Sequence, residues 1–405
     1  MSDISSSETT QPSSAVVLAA GEGTRLRPLT ANRPKPMLPA GTRPILEHVL
    51  NALIDAGISD IHLVVGYQAN RVRSHFGPTY RDIPITYHTQ ANQLGSGHAL
   101  LQARDGPDGP FLLVNGDQII DHRIVEAVST AHTDTATLAV VEGPEAIDYG
   151  AVHLDGDTIT KLIEQPADGE FRLFNAGVYA FGQQIFQVLE TLSVERGELP
   201  LTDAIQLLID EDDHSVGGVR TDHFWMDATH PWDLLSLSRE LLTRGWVDAP
   251  TTDTDIYVAE SAHIHPDATL VGPVIVDSDV VIEAGAVVGP YAAIGASVTI
   301  GPGSVLRDVV IDTDTTIRPN TTAIELVAGQ GCRIGAALTV GGGPADVVLD
   351  EEVYSDVDLG GVISDRVDIG SGAVLESGAL IGPGATIGPG VVVRGHIDAG
   401  SEVVR

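Results

Sequence analysis

The sequence contains one cysteine, Cys332, among its 405 residues. An intrachain disulfide is therefore excluded, and a zinc site built from cysteine ligands is disfavoured. Basic residues are also scarce, since 22 lysines and arginines stand against 56 acidic residues, for a formal net charge of −34. Binding of duplex nucleic acid needs a basic face that neutralises phosphates, so we expect no nucleic-acid partner.

Only two of the basic residues are lysines, Lys35 and Lys161. Few lysines with an excess of acidic residues indicate a halophilic surface, because a high-salt cytoplasm screens repulsion between like charges. The N-terminus lacks a basic stretch followed by an apolar run, which disfavours a signal peptide. The uncharged run at residues 377–393 is rich in glycine and proline, which is unsuited to a membrane helix. We therefore expect a cytoplasmic protein with no membrane partner.

The first half of the chain alternates short apolar runs with amphipathic segments. The predicted buried strands are residues 15–20, 61–65, 111–115 and 138–141. Residues 44–56 have helical spacing and end before Gly57, which is suited to a helix C-terminus. Asp155 and Gly156 separate two extended runs and predict a hairpin turn. Strands alternating with helices predict an α/β fold with a Rossmann-like, mostly parallel sheet.

The second half carries a different, six-residue period. Aliphatic residues recur at every sixth position in two ladders: Ile264, Leu270, Val276, Ile282, Val288, Ile294, Ile300 and Leu306, then Ile363, Ile369, Leu375, Ile381, Ile387 and Val393. Such a period predicts three short parallel strands per coil, with like side chains stacked in neighbouring coils. It resembles the left-handed parallel β-helix of hexapeptide-repeat proteins over residues 257–405. Residues 324–357 break the period, and Gly341 to Pro344 predict an excursion loop there.

A chain of this length exceeds the usual single core of about 250–300 residues, which predicts two domains. We predict a disordered polar tail at residues 1–12, a first domain at 13–248, a polar linker at 249–256 and a second domain at 257–405.

A glycine-rich segment directly follows the first predicted strand. Gly21, Glu22, Gly23 and Thr24 form a type of turn that lets backbone N–H groups approach a phosphate, because no Cβ intervenes. An ordinary tight turn fits this fragment equally well, since it is neither a Walker loop nor a complete dinucleotide fingerprint.

Lys35 lies between two prolines, Pro34 and Pro36. Prolines restrict the backbone and so direct the side chain between them. In a chain that otherwise uses arginine, a lysine here indicates a compact ammonium beside a triphosphate, for which arginine is not an equal substitute. The alternative is a solvated loop lysine.

Together, LAAGEGTRLRPLT and RPKPMLP resemble the signature of sugar nucleotidylyltransferases, such as glucose-1-phosphate thymidylyltransferase and N-acetylglucosamine-1-phosphate uridylyltransferase. Segments TQANQLGSGH, VNGD, YG, IEQP, NAG, WMD and PWDLL follow in the family's order. The resemblance covers the first half, and the hexapeptide tail points to the archaeal two-domain relatives of the uridylyltransferase. It implies transfer of a nucleoside monophosphate from UTP or dTTP to glucose-1-phosphate or N-acetylglucosamine-1-phosphate, with release of pyrophosphate.

The resemblance also implies the site residues. The nucleotide-binding residues are Leu18, Ala19, Ala20, Gly21, Glu22, Gly23, Thr24, Gln90, Gly95 and Ser96. Arg25 is expected at the leaving phosphates and Lys35 at the α-phosphate, as catalytic cations. The metal ligands are Asp117 and Asp227, which would share a Mg²⁺ because hard oxygen ligands suit that ion. The sugar-binding residues are Gly150, Glu164 and Asn175.

Alternatives exist for the two metal assignments, and the segment WMDATHPWD around Asp227 also fits the start of a capped helix. Asp117 ends an apolar strand, where open α/β sheets bind ligands, but a helix N-cap is the alternative. Gln165 follows Glu164 where thymidylyltransferase-type enzymes carry lysine, which disfavours that branch.

The remaining alternative functions differ in what the second domain does. In bifunctional uridylyltransferases the β-helix acetylates a sugar amine, with histidine as the general base. Residues 307–362 contain no histidine, so we predict a structural tail that forms a homo-oligomer, with a trimer as the form typical of hexapeptide proteins. Acetyl transfer with a differently activated acceptor, a non-catalytic sugar-nucleotide-binding paralogue and a purely structural scaffold are the alternatives. The retained Arg25 and Lys35 disfavour the second, and the first half of the chain disfavours the third.

Overall fold

The computed structural model describes residues 11–132, 135–143, 149–164, 172–194, 197–211, 215–350 and 352–404. Residues 1–10 of the predicted tail, and Gln165 of the sugar-binding motif, lie outside the described residues. The chain forms two compact units, Met1–Gly21 with Leu46–Met226 and Glu22–Ile45 with Asp227–Arg405. These units cut across the predicted boundary at 248, because the signature segment and the helix after Asp227 pack with the β-helix.

The helices and the strands up to Asp227 have the following bounds. The helices are α1 (Ile45–Asp55), α2 (Ala69–Phe76), α3 (Ser96–Leu101), α4 (His122–Ala131), α5 (Gln184–Thr191), α6 (Leu201–Asp210) and α7 (Asp233–Arg244), with single 3-10 turns at Thr24–Leu26, Leu29–Ala31 and Lys35–Met37. The strands are β1 (Ser14–Ala19), β2 (Pro39–Ala40), β3 (Arg43–Pro44), β4 (Asp60–Val65), β5 (Thr79–Tyr80), β6 (Ile83–Thr89), β7 (Phe111–Asn115), β8 (Gln118–Ile120), β9 (Ala136–Glu142), β10 (Ala151–Asp155), β11 (Thr158–Ile163), β12 (Leu173–Phe181), β13 (Val216–Thr221) and β14 (Trp225–Asp227).

The first unit is built on a ten-stranded sheet in the order β10-β11-β13-β9-β12-β7-β1-β4-β6-β5. Strands β7, β1, β4 and β6 run parallel, as the alternation of strands and helices predicted. Strand β12 runs antiparallel to both β7 and β9, so the sheet is mixed. Strands β10 and β11 form the predicted hairpin around Asp155 and Gly156, because a two-residue turn can join only antiparallel strands.

The interior of this unit is apolar. Helix α1 matches its predicted span, and its face carrying Leu46, Val49 and Leu50 is fully buried. Gly57 adopts a positive φ of 91° just beyond the helix, and its N–H donates to the Ile54 carbonyl. This left-handed geometry favours glycine, which is why the helix ends where the sequence predicted.

The second unit contains a parallel β-helix whose strands are short. They are β15 (Thr251–Asp253), β16 (Ile256–Val258), β17 (His263–Ile264), β18 (Thr269–Leu270), β19 (Val274–Val276), β20 (Val281–Ile282), β21 (Val287–Val288), β22 (Ala292–Ile294), β23 (Thr299–Ile300), β24 (Val305–Ile311), β25 (Thr316–Ile317), β26 (Thr322–Ala328), β27 (Arg333–Ile334), β28 (Thr339–Val340), β29 (Pro344–Leu349), β30 (Glu352–Asp358), β31 (Gly361–Ile363), β32 (Asp368–Ile369), β33 (Val374–Leu375), β34 (Ala379–Ile381), β35 (Thr386–Ile387), β36 (Val392–Val393), β37 (His396–Ile397) and β38 (Glu402–Val403). The segment predicted as a linker carries β15 and the first residue of β16.

The predicted ladders are stacked columns of aliphatic side chains. One column runs through Ile264, Ile282, Ile300, Ile317, Ile334, Ile369, Ile387 and Val403 in parallel register. Two further columns contain Leu270 and Val276 with their equivalents in later coils. Burial of each such side chain is worth about 1.5–3 kcal/mol relative to exposure, so the columns form the core of the β-helix.

The excursion predicted within residues 324–357 is shorter than that span. Strands β26, β27 and β28 continue the three columns without interruption. The six-residue spacing is lost because Leu306 and Ile311 on β24, and their equivalents Ala323 and Ala328 on β26, are five positions apart. Among the described residues of this span, those of β29 (Pro344–Leu349) and β30 (Glu352–Asp358) leave the coil, and they pair as a hairpin where a loop was expected.

Candidate active site

The carboxyl ends of strands β1 and β7 lie side by side in the first unit. Leu18 pairs with Asn115, and the Gly116 N–H donates to the Leu18 carbonyl at 2.8 Å. A Cβ on Gly116 would lie 2.9 Å from that carbonyl oxygen, so glycine is required for the approach. Asp117 follows directly, at the strand end where open α/β sheets bind ligands, as its sequence position predicted.

The predicted base-reading segment is held against the end of β1. Gln93 Nε2 donates to the Ala20 carbonyl at 3.1 Å, and a Cβ on Gly66 would lie 2.8 Å from the same oxygen. Gln90 is 5 % exposed, and its Nε2 contacts Gly95 O at 3.1 Å and His98 Nδ1 at 3.0 Å. Gly66 and Gln93 were not predicted as site residues, because their roles depend on the neighbouring strand.

Two residues predicted to bind nucleotide make specific structural contacts. Ser96 Oγ accepts a hydrogen bond from the Leu201 N–H at 3.0 Å, at the start of α6. Gly95 has a φ of 90°, and a Cβ there would lie 2.8 Å from the Leu199 carbonyl. Both residues therefore fix the segment before α6, and their contact with nucleotide stays a prediction.

The three residues predicted to bind sugar lie together. The Asn175 N–H donates to the Gly150 carbonyl at 2.9 Å, and Glu164 Oε2 accepts from the Thr202 hydroxyl at 2.5 Å. A Cβ on Gly150 would be 3.8 Å from Asn175 Cβ and 3.9 Å from Thr202 Cγ2. The Asn175 amide also contacts the Tyr179 hydroxyl, and burial raises the pKa of Tyr179. These groups can present carboxylate and amide oxygens to sugar hydroxyls.

An aromatic cluster borders the sugar-binding group. Tyr149 stacks on Phe174 with ring centroids 5.1 Å apart, and Trp225 packs edge-on against both rings. The Trp225 indole N–H lies within hydrogen-bond distance of the Ala176 carbonyl at 2.7 Å and of Gln118 Oε1 at 3.0 Å. Tyr149 and Trp225 belong to two of the predicted motifs, but sequence reasoning did not predict that they meet, because the members of the cluster are far apart in the chain.

In the second unit the signature segment folds back on itself around Gly23. The Thr30 hydroxyl donates to the Gly23 carbonyl at 2.8 Å, and Gly23 has a φ of 67°. A Cβ on Gly23 would lie 2.7 Å from Lys35 Cβ, so the lysine side chain rests directly on the glycine turn. The two motifs that predicted a phosphate site therefore come together.

Lys35 faces Asp227 at the end of β14. Its Nζ lies 3.8 Å from Asp227 Oδ2, and the two side chains are 12 % and 17 % exposed. The lysine is therefore a largely buried ammonium, which removes the solvated-loop alternative. Arg25 is exposed on the Thr24–Leu26 turn, as a group that could meet an incoming anion.

The β29–β30 hairpin places Tyr354 against His230 and Trp232 in the second unit. His230 and Trp232 stack with centroids 4.7 Å apart, and the Tyr354 ring packs 4.6 Å from His230. The hydrogen bond to Glu352 raises the pKa of Tyr354, and the charge of Arg25 opposes that shift. Sequence analysis did not predict this contact, because the insertion was expected to be a loop.

Asp117 and Asp227 offer the hard oxygen ligands that suit Mg²⁺. Within the described parts of the chain, no group of three or more His, Cys, Asp or Glu side chains is placed to hold a metal ion. Magnesium takes one or two protein carboxylates and completes its coordination with water and substrate phosphates, so each of these side chains has the chemistry of a ligand. Among the described residues, moreover, none of the helices has the length and apolar character needed to cross a membrane.

Comparison with known proteins assigns the chain to a family. Residues 14–244 match the nucleotidyl transferase family, and residues 270–359 match the GMPPB C-terminal domain. The chain belongs to the nucleotidyl transferase family.

This nucleotidyl transferase is similar to curated proteins over much of its length. It is 32% identical over 374 residues to the bifunctional protein GlmU of Methanococcus maripaludis, covering 88% of each chain. It is 38% identical over 225 residues to the UTP–glucose-1-phosphate uridylyltransferase AglF of Haloferax volcanii, covering 54% of this chain and 92% of AglF. The low-salt glycan biosynthesis nucleotidyltransferase Agl11 of the same organism is 33% identical over 338 residues, covering 80% of this chain and 94% of Agl11.

A solved structure has the same fold as part of this nucleotidyl transferase. The inositol-1-phosphate CTP transferase from T. maritima aligns with a TM-score of 0.51 over 58% of this chain and 97% of that chain. The two sequences are 20% identical, so the likeness extends to the fold alone.

Proposed function

We propose that this enzyme transfers a nucleoside monophosphate from UTP or dTTP to glucose-1-phosphate or N-acetylglucosamine-1-phosphate. The observation that carries the proposal is the buried Lys35 ammonium, which rests on Gly23 and faces Asp227 at 3.8 Å. Two polyanions repel each other, so their reaction requires fixed positive charge where phosphate charge develops. AglF, which is named for uridylyl transfer to glucose-1-phosphate, supports this choice of substrates.

In the proposed reaction a phosphate oxygen of the sugar-1-phosphate attacks the α-phosphorus of the nucleotide. The bond from that phosphorus to the bridging oxygen breaks, and pyrophosphate leaves with the electron pair. Lys35 stabilises charge on the α-phosphate, and Arg25 binds the leaving phosphates with its planar guanidinium. The backbone of Leu18 to Thr24 binds the nucleotide. These residues position and neutralise the reactants, and they form no covalent intermediate.

Asp117 and Asp227 are the proposed Mg²⁺ ligands. When bound, the ion would neutralise phosphate charge and act as a Lewis acid at phosphate oxygens. Asp227 would also orient Lys35, since its carboxylate faces the ammonium. Gly150, Glu164 and Asn175 would hydrogen-bond the sugar hydroxyls.

The contacts of Gln90 favour uracil or thymine. Within the described parts of the chain, its amide hydrogens are directed at Gly95 O and His98 Nδ1, and its Oε1 accepts from no protein donor. The carbonyl oxygen is then the group that can meet the base. Uracil and thymine carry an imide N–H that such an acceptor can bind, whereas N3 of cytosine is itself an acceptor. UTP and dTTP should therefore both react faster than CTP.

Acetyl transfer is the alternative suggested by the relatives named bifunctional. No histidine occurs between Arg307 and Val362 to act as the general base of such a reaction. The discriminating measurement is release of free CoA thiol from acetyl-CoA in the presence of glucosamine-1-phosphate. We expect no release above the rate without enzyme.

The decisive test is pyrophosphate release measured for four NTPs against several sugar-1-phosphates in high salt. Lys35→Met should lower kcat by about 10³-fold or more, because it removes charge stabilisation of the transition state. Lys161→Met is the matched control, since Lys161 is the other lysine of the chain and is exposed on β11. Equal turnover in both variants would contradict the mechanism.

The proposal also covers the oligomeric state of the protein and the salt concentration in which it works. We expect a homo-oligomer in a high-salt cytoplasm, with a trimer as the form typical of hexapeptide proteins. Light scattering of the purified chain at high and low salt measures both the assembly and its dependence on charge screening.

A further inference from the structure

A buried guanidinium connects the signature segment to the β-helix within the second unit. Arg33 is 6 % exposed. Its Nη1 lies 2.5 Å from Asp312 Oδ2, its Nη2 donates to Asp365 Oδ1, and its Nε lies 3.4 Å from Asp365 Oδ2. The side chain thus bridges two carboxylates, a geometry that the planar fork of arginine suits and lysine cannot reproduce.

Backbone N–H groups of the β-helix also bind and orient the two carboxylates that contact Arg33. Asp312 Oδ1 accepts the Thr313 N–H at 2.7 Å, and Asp365 Oδ1 accepts the Gln330 N–H at 3.0 Å. Both acids lie at one corner of the helix, since Asp312 follows Ile311 and the coils continue in register to Ala328 and then Ile363.

Gly329 lies on the intervening coil at the same corner. A Cβ on it would come within 2.6 Å of Asp365 Oδ1. A side chain at this position would therefore displace the carboxylate from the guanidinium. The two carboxylates at this corner bind a single arginine. We call the group formed by Arg33, Asp312, Gly329 and Asp365 the Arg33 latch.

A second contact joins the same corner to the signature segment. The Ser364 hydroxyl donates to the Pro28 carbonyl at 2.9 Å, and both groups are buried. The segment is thus fixed to the β-helix at Pro28 and at Arg33. Gly23 and Lys35, which rest on each other, lie just outside these two anchors in the chain.

The chain from the latch to Lys35 is short and stiff. Pro34 separates Arg33 from Lys35, and proline restricts both its own φ and the residue before it. The Met37 N–H donates to the Pro34 carbonyl at 2.9 Å and closes the Lys35–Met37 turn. A displacement of Arg33 would therefore move Lys35 relative to Gly23 and Asp227, which it contacts.

We propose that Arg33 is a positioning residue for nucleotidyl transfer, through which the β-helix holds Lys35 where it meets the reacting phosphate. The inference rests on the role proposed above for Lys35. In this proposal the β-helix contributes to the reaction by positioning Lys35, and none of its own groups contacts the substrate. Replacing a buried ion pair by apolar residues often leaves the free energy of unfolding unchanged or raises it. Stability alone therefore does not account for a guanidinium that binds two buried carboxylates, whereas a positioning role does.

The test uses the full chain and a matched ion pair as control. Arg239 donates to Asp308 through Nε at 2.9 Å and through Nη2, so it joins α7 to strand β24 by a similar guanidinium–carboxylate contact. Neither residue contacts the signature segment through these bonds. Arg239→Met therefore removes a contact to the β-helix and leaves the Arg33 latch intact.

Arg33→Met leaves two buried carboxylates unpaired and could prevent folding. The informative variant is therefore R33M/D312N/D365N, which neutralises the whole latch, together with the charge-conserving Arg33→Lys. We expect kcat to fall about 10²-fold in the triple variant, as for a misplacement of about 1 Å, with the KM for nucleotide changed far less. Arg33→Lys should give an intermediate kcat, and Arg239→Met should keep the wild-type value.

The outcomes separate this inference from the proposed function. A folded triple variant with the wild-type kcat, beside an inactive Lys35→Met, would overturn the positioning role alone. Normal turnover in Lys35→Met would overturn the proposed mechanism itself. Equal losses in the triple variant and in Arg239→Met, or a failure of Arg33→Lys to fold, would assign the latch to stability.

Discussion

Gly23 and Lys35 are so close that a Cβ on the glycine would lie 2.7 Å from Cβ of the lysine. The contact explains two features of the signature segment together. Gly23 is needed for its left-handed backbone, with a φ of 67°, and for the space that the lysine stem occupies. The direction of the Lys35 side chain therefore depends on a residue twelve positions earlier in the chain.

Gly23→Ala should lower kcat by about 10²-fold while the protein stays folded, because the new methyl group displaces Lys35. Gly156→Ala is the matched control, since Gly156 has a φ of 62° but no atom within 4 Å of the position that a methyl group would take. Both variants should lose about 1–2 kcal/mol of stability from left-handed strain. Pyrophosphate release and thermal unfolding, measured on the same samples, separate the two effects.

Asp227→Asn should lower kcat by about 10²-fold and shift activation to higher Mg²⁺ concentration, since one anionic oxygen ligand is lost. The control is Asp233→Ala. Asp233 Oδ2 accepts the Thr229 and His230 N–H groups at 2.8 and 2.6 Å, so its loss should reduce stability by about 1 kcal/mol. An unchanged magnesium titration in Asp227→Asn would remove this residue from the metal site.

Cys332 should be unreactive in the folded protein. It is fully buried, its Sγ lies 3.0 Å from the Ser364 carbonyl, and burial raises the pKa of its thiol to about 12. Only the thiolate reacts with disulfide reagents, so we expect no labelling in native conditions and one thiol per chain in concentrated guanidinium. Rapid labelling of the native protein would show that the coil near the Arg33 latch opens readily.

The protein should lose stability in mild acid through the histidine pair on β4 and β6. His62 Nδ1 lies 3.1 Å from His88 Nε2, and His62 Nε2 lies 3.0 Å from Asp60 Oδ2. Burial and the neighbouring His62 lower the pKa of His88, while the Gln102 backbone and Asp105 act in the opposite direction.

Acid lowers the free energy of unfolding because the unfolded chain binds more protons than the folded chain. The unfolded chain protonates His88 near its ordinary pKa of 6.5, whereas the folded chain resists protonation. The stabilisation is therefore complete above that pH and is lost as pH falls through the lowered pKa. His88→Gln should flatten the pH dependence of the thermal unfolding midpoint below pH 6.5, compared with His153→Gln at an exposed histidine. Parallel curves for the two variants would exclude the pair as the acid-sensitive element.

The sequence predicted those features whose signal is local. The six-residue period defines the β-helix columns, because each coil repeats the same short strand and the same aliphatic side chain. Asp117 was placed at a strand end because an apolar run precedes it, and Lys35 was singled out by its flanking prolines. In each case the physical cause lies within a few residues of the feature.

Only the tertiary structure decided which distant residues meet. Arg33 and Asp365 are separated by 332 positions, and nothing near either residue indicates the other. The coils through Ala323 and Ala328 were missed because a corner shortened by one residue hides the period while the backbone register persists. A periodic side-chain pattern is carried by the chain itself, whereas an ion pair between remote segments exists only after the coils have stacked.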